Sequence, residues 1–289
     1  MLALVAACYR APSDSCVIEN SCPPDASPDM TPVPACTLPV GSGNEQMITA
    51  GTWLAAELGA EPYAIKSQLI NMGSGPFQSI LGTTDDVTAG PATFTVVEQG
   101  VVGTEFQSPR LSYGGRELYT RIDTTGAPII ARTTRDTGEV LWATLDKLTL
   151  LDAADQPFPV IVGTDPSPPT LTKPRRMILA YGTLGFDEFE EQDPQTRTWK
   201  LVRAHVPAYD VEFTGQAQLT ADGLHLVFHS VSGSVSTLHA VDRPGLDAPF
   251  GAASHGIATL QANAFRPSVS PDCKLLFYDD GSQGFMVTY

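Results

Sequence analysis

The amino-acid sequence predicts an all-β protein, a β-propeller of about five four-stranded blades, with six blades as the alternative. Two stretches near the carboxyl end are close copies of one another, "GQAQLTADGLHLVFHS" (215–230) and "RPSVSPDCKLLFYDDG" (266–281). Two fainter copies precede them at comparable intervals, as expected for stacked repeats. The 25 Gly and 24 Pro among 289 residues favour many turns over long helices.

Each copy has an apolar anchor, then a turn, then an apolar strand. The four anchors are separated by 60, 48 and 50 residues; they are Leu111, Leu171, Leu219 and Val269. Repeats of roughly 40 to 50 residues that contain several short strands are typical of propeller blades. One blade cannot bury both faces of its sheet alone, so we expect neighbouring sheets to stack in a ring without long exposed edges.

The two ends of the repeat region need separate treatment. About twenty residues follow Val269, which is too few for a whole blade. We therefore expect an amino-terminal strand to complete the carboxy-terminal blade. The stretch "ATFTVVEQGVV" (92–102) predicts a further strand, whereas "TWLAAELGAEPYAIKSQLINMG" (52–73) is compatible with strands or with a short helix broken at Pro62.

The stretches "SPDCKLLFY", "TADGLHLVF" and "HAVDRPGLDAPFG" resemble the WD40-like (PD40) repeats of TolB-type β-propellers, whose turn reads Ser-Pro-Asp-Gly. The resemblance is good over 216–289 and modest over 107–215. It implies structural roles for the turn residues and for a loop that locks one blade onto the next. The turn residues are Asp222 and Gly223 in one copy and Ser270, Pro271 and Asp272 in the other, with Cys273 where Gly is usual; the loop residues are Arg243 and Asp247.

The amino-terminal part of the chain differs in composition from the repeats. Residues 1–8 end in "VAAC", which resembles a bacterial lipobox with Cys8 as the lipidated residue, although no basic residue precedes the apolar run. Residues 9–45 are rich in Pro, Ser and Asp and predict a disordered tether. The sequence therefore predicts a residual signal at 1–8, a linker at 9–45 and the propeller domain at 46–289.

The cysteines predict no metal site. Cys16, Cys22 and Cys36 lie in the tether at spacings that fit no zinc pattern, and Cys273 stands alone near the carboxyl end. In an oxidising compartment two of the tether cysteines could form a disulfide, which would leave the third free or paired elsewhere. The pairing among these four residues stays open.

No catalytic, cofactor or metal motif is present in the sequence. His225 and His229 share one face of a strand, but about 13 Å separates them at the strand rise, too far for one ion. The acidic segment "FDEFEEQD" (186–193) is compatible with a solvated hairpin loop or, less readily, with a divalent-cation site. We assign no catalytic, cofactor-binding or metal-binding residue.

We expect a non-catalytic binding or scaffolding module of the bacterial cell envelope, and the resemblance to TolB-type propellers implies that it engages a protein partner. The net charge of −15 would repel a phosphate backbone, so we expect no nucleic-acid partner. Membrane contact is expected only through the lipid anchor. The alternative is a glycan hydrolase or lyase that uses carboxylates converging at the central channel.

Overall fold

The structure is a computed structural model. It describes residues 33, 35–38, 43–50, 55–58, 62–70, 78–84, 95–99, 105–113, 116–124, 126–135, 143–259, 261, 263–281 and 283–289. Every regular element in these ranges is a strand, apart from one 3-10 turn at Gly182–Leu184. The predicted all-β class is therefore confirmed.

The first strand, β1 (Asn44–Ala50), belongs to the last sheet. Sheet 1 contains β2 (Ala55–Leu58), β3 (Pro62–Ile70), β4 (Gln78–Thr84) and β5 (Thr95–Gln99). Sheet 2 contains β6 (Glu105–Leu111), β7 (Glu117–Asp123), β8 (Ile129–Thr134) and β9 (Asp146–Lys147).

Sheet 3 contains β10 (Thr149–Leu151), β11 (Asp165–Pro166), β12 (Arg176–Ala180), β13 (Phe186–Asp193) and β14 (Thr198–His205). Sheet 4 contains β15 (Gln218–Leu219), β16 (His225–Ser232), β17 (Val235–Asp242) and β18 (Ser254–Ile257). Sheet 5 contains β19 (Phe265–Val269), β20 (Leu275–Asp279), β21 (Gln283–Thr288) and β1. Sheet 3 gains its fifth strand because β10 crosses from sheet 2 and pairs in parallel with β14.

The sheets form a ring with one strand of each sheet nearest its neighbours. We call these strands, β2, β6, β11, β15 and β19, the first strands of their sheets. Strand β2 contacts β6, β6 contacts β11, β12 contacts β15, β15 contacts β19, and β19 contacts β2 again. The described residues thus form five sheets, each packed against the next, and the predicted propeller architecture is confirmed.

The amino-terminal segment closes this ring. Strand β1 pairs antiparallel with β21, from Asn44 opposite Thr288 to Ala50 opposite Gln283, so the predicted completion of the last sheet by an amino-terminal strand is confirmed. Cys36 forms a disulfide with Cys273. The compact unit runs from Pro34 to Tyr289 and therefore begins before the predicted boundary at residue 46, because this segment packs into the core as well.

The segment 52–73 contributes strands, so the alternative of a short helix is wrong there. Its two described pieces, β2 and β3, pair with one another, and β3 also pairs with β4. Pairing with neighbouring strands overrides whatever helix preference the local sequence has. The predicted strand at 92–102 is present as β5.

The apolar core lies between successive sheets. One cluster, with Trp199 and Tyr119, lies between sheets 2 and 3, a second, with Phe186 and Phe228, between sheets 3 and 4, and a third, with Val269, between sheets 4 and 5. Strand β16 consequently buries both faces, where the sequence pattern predicts one more deeply buried face. No helix in the described ranges is long and apolar enough to cross a membrane.

The repeated turn has one hydrogen-bond pattern in both of its best copies. The Thr220 hydroxyl donates to Asp222 Oδ1 (2.6 Å) and accepts from the His225 N–H (3.1 Å). The Ser270 hydroxyl likewise donates to Asp272 Oδ1 (2.7 Å) and accepts from the Leu275 N–H (3.0 Å). The aspartate also accepts the N–H two residues later in each copy. This pattern satisfies partly buried backbone groups between the first and second strands of sheets 4 and 5.

Only the hydroxyl part of the turn remains in the two upstream copies. Ser112 Oγ accepts the Glu117 N–H (3.1 Å), and Thr170 Oγ1 accepts the Arg176 N–H (2.9 Å). Because Thr170 is the hydroxyl residue, the anchor position before it is occupied by Pro169, which is buried. The sequence predicts Leu171 as this anchor, but Leu171 lies beyond the hydroxyl residue and is 39% exposed, whereas the anchors in the other three copies are buried; these are Leu111, Leu219 and Val269.

Cys273 occupies the turn position that glycine holds in the other copy. Gly223 has φ +74° and Cys273 has φ +60°, so both adopt the left-handed conformation. At position 223 a Cβ would lie 2.5 Å from Leu246 Cδ2, which only glycine avoids. At position 273 the side chain instead forms the disulfide with Cys36. The left-handed conformation is unfavourable for a residue with a Cβ, and here it accompanies that bond.

We expect Thr220→Val to lower the free energy of unfolding by about 1–3 kcal/mol, because the buried His225 N–H would lose its acceptor. Urea denaturation followed by circular dichroism measures this change. Thr149→Val, at an exposed position of β10, is the matched control and should change stability by less than about 0.5 kcal/mol. Equal effects of the two substitutions would contradict a structural role for the turn.

Candidate functional site

Three residues that lie in the first strands or just before them adopt the left-handed conformation, each three positions before a buried anchor. They are Ser108 (φ 47°), Gln216 (φ 47°) and Arg266 (φ 50°). The strand register shifts at Ser108 and at Arg266, which marks both as β-bulges. Such conformations cost about 1–3 kcal/mol for a residue other than glycine, and bulges are frequent beside functional sites.

The bulges define two ends of the ring. We call the end at which the first strands begin, with Ser108, Gln216 and Arg266, the bulge face. The opposite end, which carries the turns of Ser112, Thr170, Thr220 and Ser270, is the turn face. The antiparallel register places the ends of the second strands on the bulge face too, because Gln107 is opposite Arg121 and Phe265 is opposite Asp279.

Side chains from sheets 2, 3 and 5 meet at the bulge face in what we call the axial cluster, which comprises Ser108, Arg121, Asp165, Arg266 and Asp279. Ser108 donates a short hydrogen bond to Asp165, and the Arg121 guanidinium lies 3.1 Å from the same carboxylate. Arg121 also donates to the Thr164 carbonyl (2.8 Å). Arg266 Nε donates to Asp279 (2.6 Å). These contacts join sheet 2 to sheet 3 and fix the bulge of sheet 5.

Burial and nearby charges act in opposite directions on the carboxyl groups of this cluster. Burial raises the pKa of Asp165, while the Ser108 hydrogen bond and the charges of Arg121, Arg110 and Arg266 lower it, and the net shift is upward. Burial likewise raises the pKa of Asp279 against the hydrogen bond and charge of Arg266. Each buried carboxylate of the cluster is therefore paired with a guanidinium, as buried charges require.

The two histidines of β16 have different surroundings at opposite ends of the strand. His229 is 6% exposed at the bulge face, where its ring meets Phe265 edge-on at 5.4 Å. Burial, with the charge of Arg266, lowers the pKa of His229 to about 4, so the ring is neutral at physiological pH. His225 lies at the turn face, where Nδ1 is 2.6 Å from Asp242 Oδ1. The two rings accordingly serve no common ion.

Side-chain hydrogen bonds link three sheets at the turn-face end of the ring. The Tyr113 hydroxyl, from the segment after β6 of sheet 2, donates to the Leu219 carbonyl of sheet 4 and accepts from Gln218 Nε2 (2.6 Å). The Gln218 amide also bonds both backbone groups of Val269 in sheet 5 (2.9 and 3.2 Å). Since sheets 2 and 4 are not neighbours in the ring, Tyr113 reaches past sheet 3 to make these contacts.

The bulge face also collects exposed apolar side chains. Among the described residues, five of the eight large exposed hydrophobics lie in loops, in the 3-10 turn or at a strand end at this end of the ring; they are Ile161, Val162, Leu184, Val206 and Val235. The three most exposed are Val206 (85%), Val162 (76%) and Leu184 (68%), of which Leu184 and Val206 lie close together in the fold. Both flank sheet 3, where the Gly185 backbone lies against His205 and Pro207. Grouped exposed apolar residues mark interaction sites more often than scattered ones.

Arg243 bridges sheets 3 and 4. Its guanidinium makes two hydrogen bonds to the Glu188 carboxylate (2.8 and 3.0 Å) and one to the Gly223 carbonyl (2.7 Å), and it lies over the Phe250 ring at 4.6 Å. Both charged side chains are fully buried. Burial alone would raise the pKa of Glu188, but hydrogen bonds from His205 and Arg243 and the charge of Arg243 outweigh it and lower the pKa to about 2.

Asp247, in the same loop, connects the same two sheets. Its exposed carboxylate lies 3.2 Å from the Arg176 guanidinium of β12, and Arg203 of β14 donates to the Asp247 and Ala248 carbonyls. Arg243 and Asp247 thus both face protein groups, as the family resemblance implies for this loop.

The acidic segment 186–193 is a strand and not a solvated loop. As β13 it lies between β12 and β14, and its successive carboxylates alternate between neighbours. Glu188 faces Arg243 of sheet 4, whereas Glu191 faces sheet 2, where Arg132 and Glu117 also pair. The sequence pattern does not show this because the cationic partners lie in other repeats.

Sequence reasoning also missed the bulges. The signal was present as "SPRL" at 108–111, "QAQL" at 216–219 and "RPSV" at 266–269, each with a Pro or Ala two residues before the anchor. Those residues are Pro109, Ala217 and Pro267, and all three are buried. Cys8, Cys16 and Cys22, to which the predicted lipidation and other disulfides refer, lie outside the described residues.

No protein-family model matches the sequence, and no curated protein matches it either. Similar solved structures include TolB of Acinetobacter baumannii, with 13% identity, 83% of this chain and 55% of that chain covered, and a TM-score of 0.46. A bifunctional GH43-CE protein of Bacteroides eggerthii has 14% identity, covers 88% of this chain and 34% of its own, and has a TM-score of 0.48.

A third similar structure is the NanB sialidase of Streptococcus pneumoniae, with 12% identity, coverage of 73% of this chain and 36% of that chain, and a TM-score of 0.44. This chain therefore spans about half the length of the TolB structure and about a third of the other two. At these identities and TM-scores the likeness assigns no activity, substrate or partner.

We expect Glu188→Gln to destabilise the protein by about 3–5 kcal/mol at neutral pH, because Arg243 would remain buried without its charge partner. The folded-state pKa of about 2 lies below the ordinary 4.5, so the stabilisation is present above pH 4.5 and is lost as pH falls towards 2. The stability difference between wild type and variant, measured by urea denaturation, should therefore shrink over that range.

Asp155→Asn is the control for this pH series, since its exposed pair with Lys200 should contribute less than about 1 kcal/mol. A difference between wild type and Glu188→Gln that stays constant from pH 6 to pH 2.5 would contradict the assignment.

Proposed function

We propose that this protein is a non-catalytic binding module of the bacterial cell envelope that engages a protein partner across its bulge face. The observation that carries the proposal is the set of exposed apolar side chains at that face, which includes Leu184, Val162 and Val206, beside the charged axial cluster. Exposed apolar side chains that share one face mark protein interaction sites, and protein interfaces combine such apolar contacts with polar groups.

The chemistry of the axial cluster favours binding over catalysis. Asp165 is held by Arg121 and Ser108, and Asp279 is held by Arg266. A glycan-cleaving site needs one carboxyl that can donate a proton and a second that can attack or activate water. A carboxylate held by a guanidinium is poorly suited to either role, because its charge is already engaged.

The disulfide supports an oxidising compartment. The Cys36–Cys273 bond joins residues 237 positions apart, and disulfides persist mainly in exported proteins. The lipobox-like "VAAC" ending at Cys8 agrees with export and anchoring. The tether that follows Cys8 would then hold the propeller away from a membrane.

For the anchor, we expect Cys8→Ala to move the protein from the membrane fraction to the soluble periplasmic fraction, because the lipid would have no thiol to join. Fractionation of cells that express the whole reading frame measures this. Cys22→Ala serves as the control and should leave the distribution unchanged. Unaltered membrane association of Cys8→Ala would contradict the proposal.

For the partner, we expect a pull-down from envelope extract, with the whole chain as bait, to capture one envelope protein in stoichiometric amount. Val206→Asp and Leu184→Asp should each weaken this binding at least about tenfold, because a charge would enter an apolar contact. Leu171→Asp is the matched control, an exposed leucine on the turn face whose change should have no effect. Calorimetry with the purified partner gives the affinities, and equal affinity of all variants would contradict the assigned face.

A glycan-active enzyme is the second candidate, and one observation favours it. The pKa of Asp165 is raised by burial at the ring centre, as it is in many carboxyl groups that donate protons. Glycan hydrolysis by the purified chain that Asp165→Asn abolishes, together with the absence of a protein partner, would replace the binding proposal with this one.

A further inference from the structure

The turn face carries a compact group of potential metal ligands that the binding proposal does not use. Among the residues that the structure describes, Cys36, Asp222 and His225 form the one group of three whose ligand atoms all lie within 4.8 Å of each other. They come from different parts of the chain, since Cys36 precedes β1, Asp222 lies in the repeated turn of sheet 4, and His225 begins β16.

The orientation of His225 suits a cation. Its Nδ1 is hydrogen-bonded to Asp242 (2.6 Å), which leaves Nε2 directed at Asp222 Oδ2, 4.0 Å away. A carboxylate behind a histidine is the usual outer partner of a metal-binding imidazole, because it fixes the ring and the tautomer. With the proton on Nδ1, the Nε2 lone pair and the Asp222 carboxylate face one another as two acceptors.

The sulfur beside these acceptors is engaged in the disulfide. Cys36 Sγ is bonded to Cys273 Sγ, and a disulfide sulfur is a far weaker ligand than a thiolate. Reduction by a dithiol would change this: the S–S bond breaks, the two sulfurs take two electrons and two protons, and the dithiol becomes a disulfide. Two thiols would then lie next to one imidazole and one carboxylate.

We propose that reduction of the Cys36–Cys273 disulfide creates a tetrahedral site for Zn²⁺ or a similar thiophilic divalent cation, with Cys36, Cys273, Asp222 and His225 as ligands. Binding displaces the thiol protons, so that two thiolates, one carboxylate and one neutral imidazole surround the ion. Zinc ligands lie about 2.0–2.3 Å from the ion. The ligand atoms of Cys36, Asp222 and His225 lie within 4.8 Å of one another, and Cys273 Sγ is adjacent through its bond to Cys36 Sγ, so side-chain rotations after reduction would bring the four to those distances.

Contacts other than the disulfide keep the ligands together. The Cys36 N–H donates to Asp222 Oδ2 (3.3 Å), and Cys36 and Leu38 are buried in the core between sheets 4 and 5. Asp222 is fixed through its other oxygen by Thr220 and by the Leu224 N–H. Both the disulfide and the proposed metal site join the amino-terminal segment to sheet 5 through Cys36 and Cys273. Metal binding would therefore replace one link between them with another.

The test uses the whole chain with Cys8, Cys16 and Cys22 replaced by serine, so that only the two cysteines of the site remain. Co²⁺ is titrated into the oxidised protein and into protein reduced with a phosphine. We expect the thiolate-to-cobalt charge-transfer band and the visible bands of tetrahedral Co²⁺ at one equivalent in the reduced protein only, and displacement of Co²⁺ by Zn²⁺.

Two ligand variants, one control and one variant of the outer partner test the site. His225→Ala and Asp222→Asn should each weaken Zn²⁺ binding at least about tenfold in competition with a chelator, whereas His239→Ala, on the same sheet but outside the group, should not. Asp242→Asn should weaken binding as well, because His225 would lose its outer partner.

Several outcomes would overturn the proposal. These are the absence of the charge-transfer band after reduction, tetrahedral bands that His225→Ala leaves unchanged, and loss of the β-sheet circular dichroism on reduction that Zn²⁺ does not restore. None of these outcomes bears on the partner at the bulge face, so the two proposals fail separately.

Discussion

The pairing of β1 with β21 is the interaction on which the rest of the propeller depends. Sheets 3 and 4 bury apolar side chains on both faces and therefore need a neighbour on each side. In a chain that runs once around the ring, the last sheet meets the first, and the terminal strands are the ones that can separate. The outer edge of sheet 5 would expose its backbone without β1. The disulfide between Cys36 and Cys273 reinforces the same junction covalently.

The serine or threonine turns hold each sheet to a fixed geometry at the turn face. A hydroxyl that accepts the N–H of the second strand sets where the first strand ends, as at Thr220 and Ser270. With that end fixed, the bulges at Ser108 and Arg266 alter the direction of side chains at the other end only. Three of the left-handed residues, Ser108, Gln216 and Arg266, lie at the bulge face, and hydrogen bonds elsewhere in the fold offset their cost.

The sequence predicts the features that are local and repeated. Leu219, Val269 and the turns that follow them are recognisable because every interaction they need lies within a few residues. Leu171 shows where this reasoning fails. In sheet 3 the N–H that Thr170 accepts lies six positions along the chain, at Arg176, whereas in the other copies it lies five positions along. The apolar residue directly after Thr170 therefore resembles an anchor. The amino-terminal strand was predictable from the shortness of the last repeat alone.

The sequence does not predict contacts between repeats. The burial of Glu188 depends on Arg243, the position of Tyr113 depends on Gln218, and the environment of Asp165 depends on Arg121, each a partner in a different sheet. These partners are far apart in the sequence and become neighbours only when the sheets pack into the ring. Composition misleads in the same way, because an acidic segment such as β13 resembles a solvated loop until its cationic neighbours are in place.

The two ends of the ring differ in how completely their polar groups are used. At the turn face the side chains bond backbone or one another, and Tyr113 and Gln218 link sheets 2, 4 and 5. At the bulge face the charged groups are paired while the surrounding apolar side chains, such as Val206, remain exposed. A partner can gain apolar contact there without breaking an ion pair, which is the least costly way for this propeller to bind another protein. The Cys36–Cys273 disulfide lies at the turn face and therefore outside the proposed partner contact. Changes in this bond can alter the stability of the ring without altering the binding of the partner.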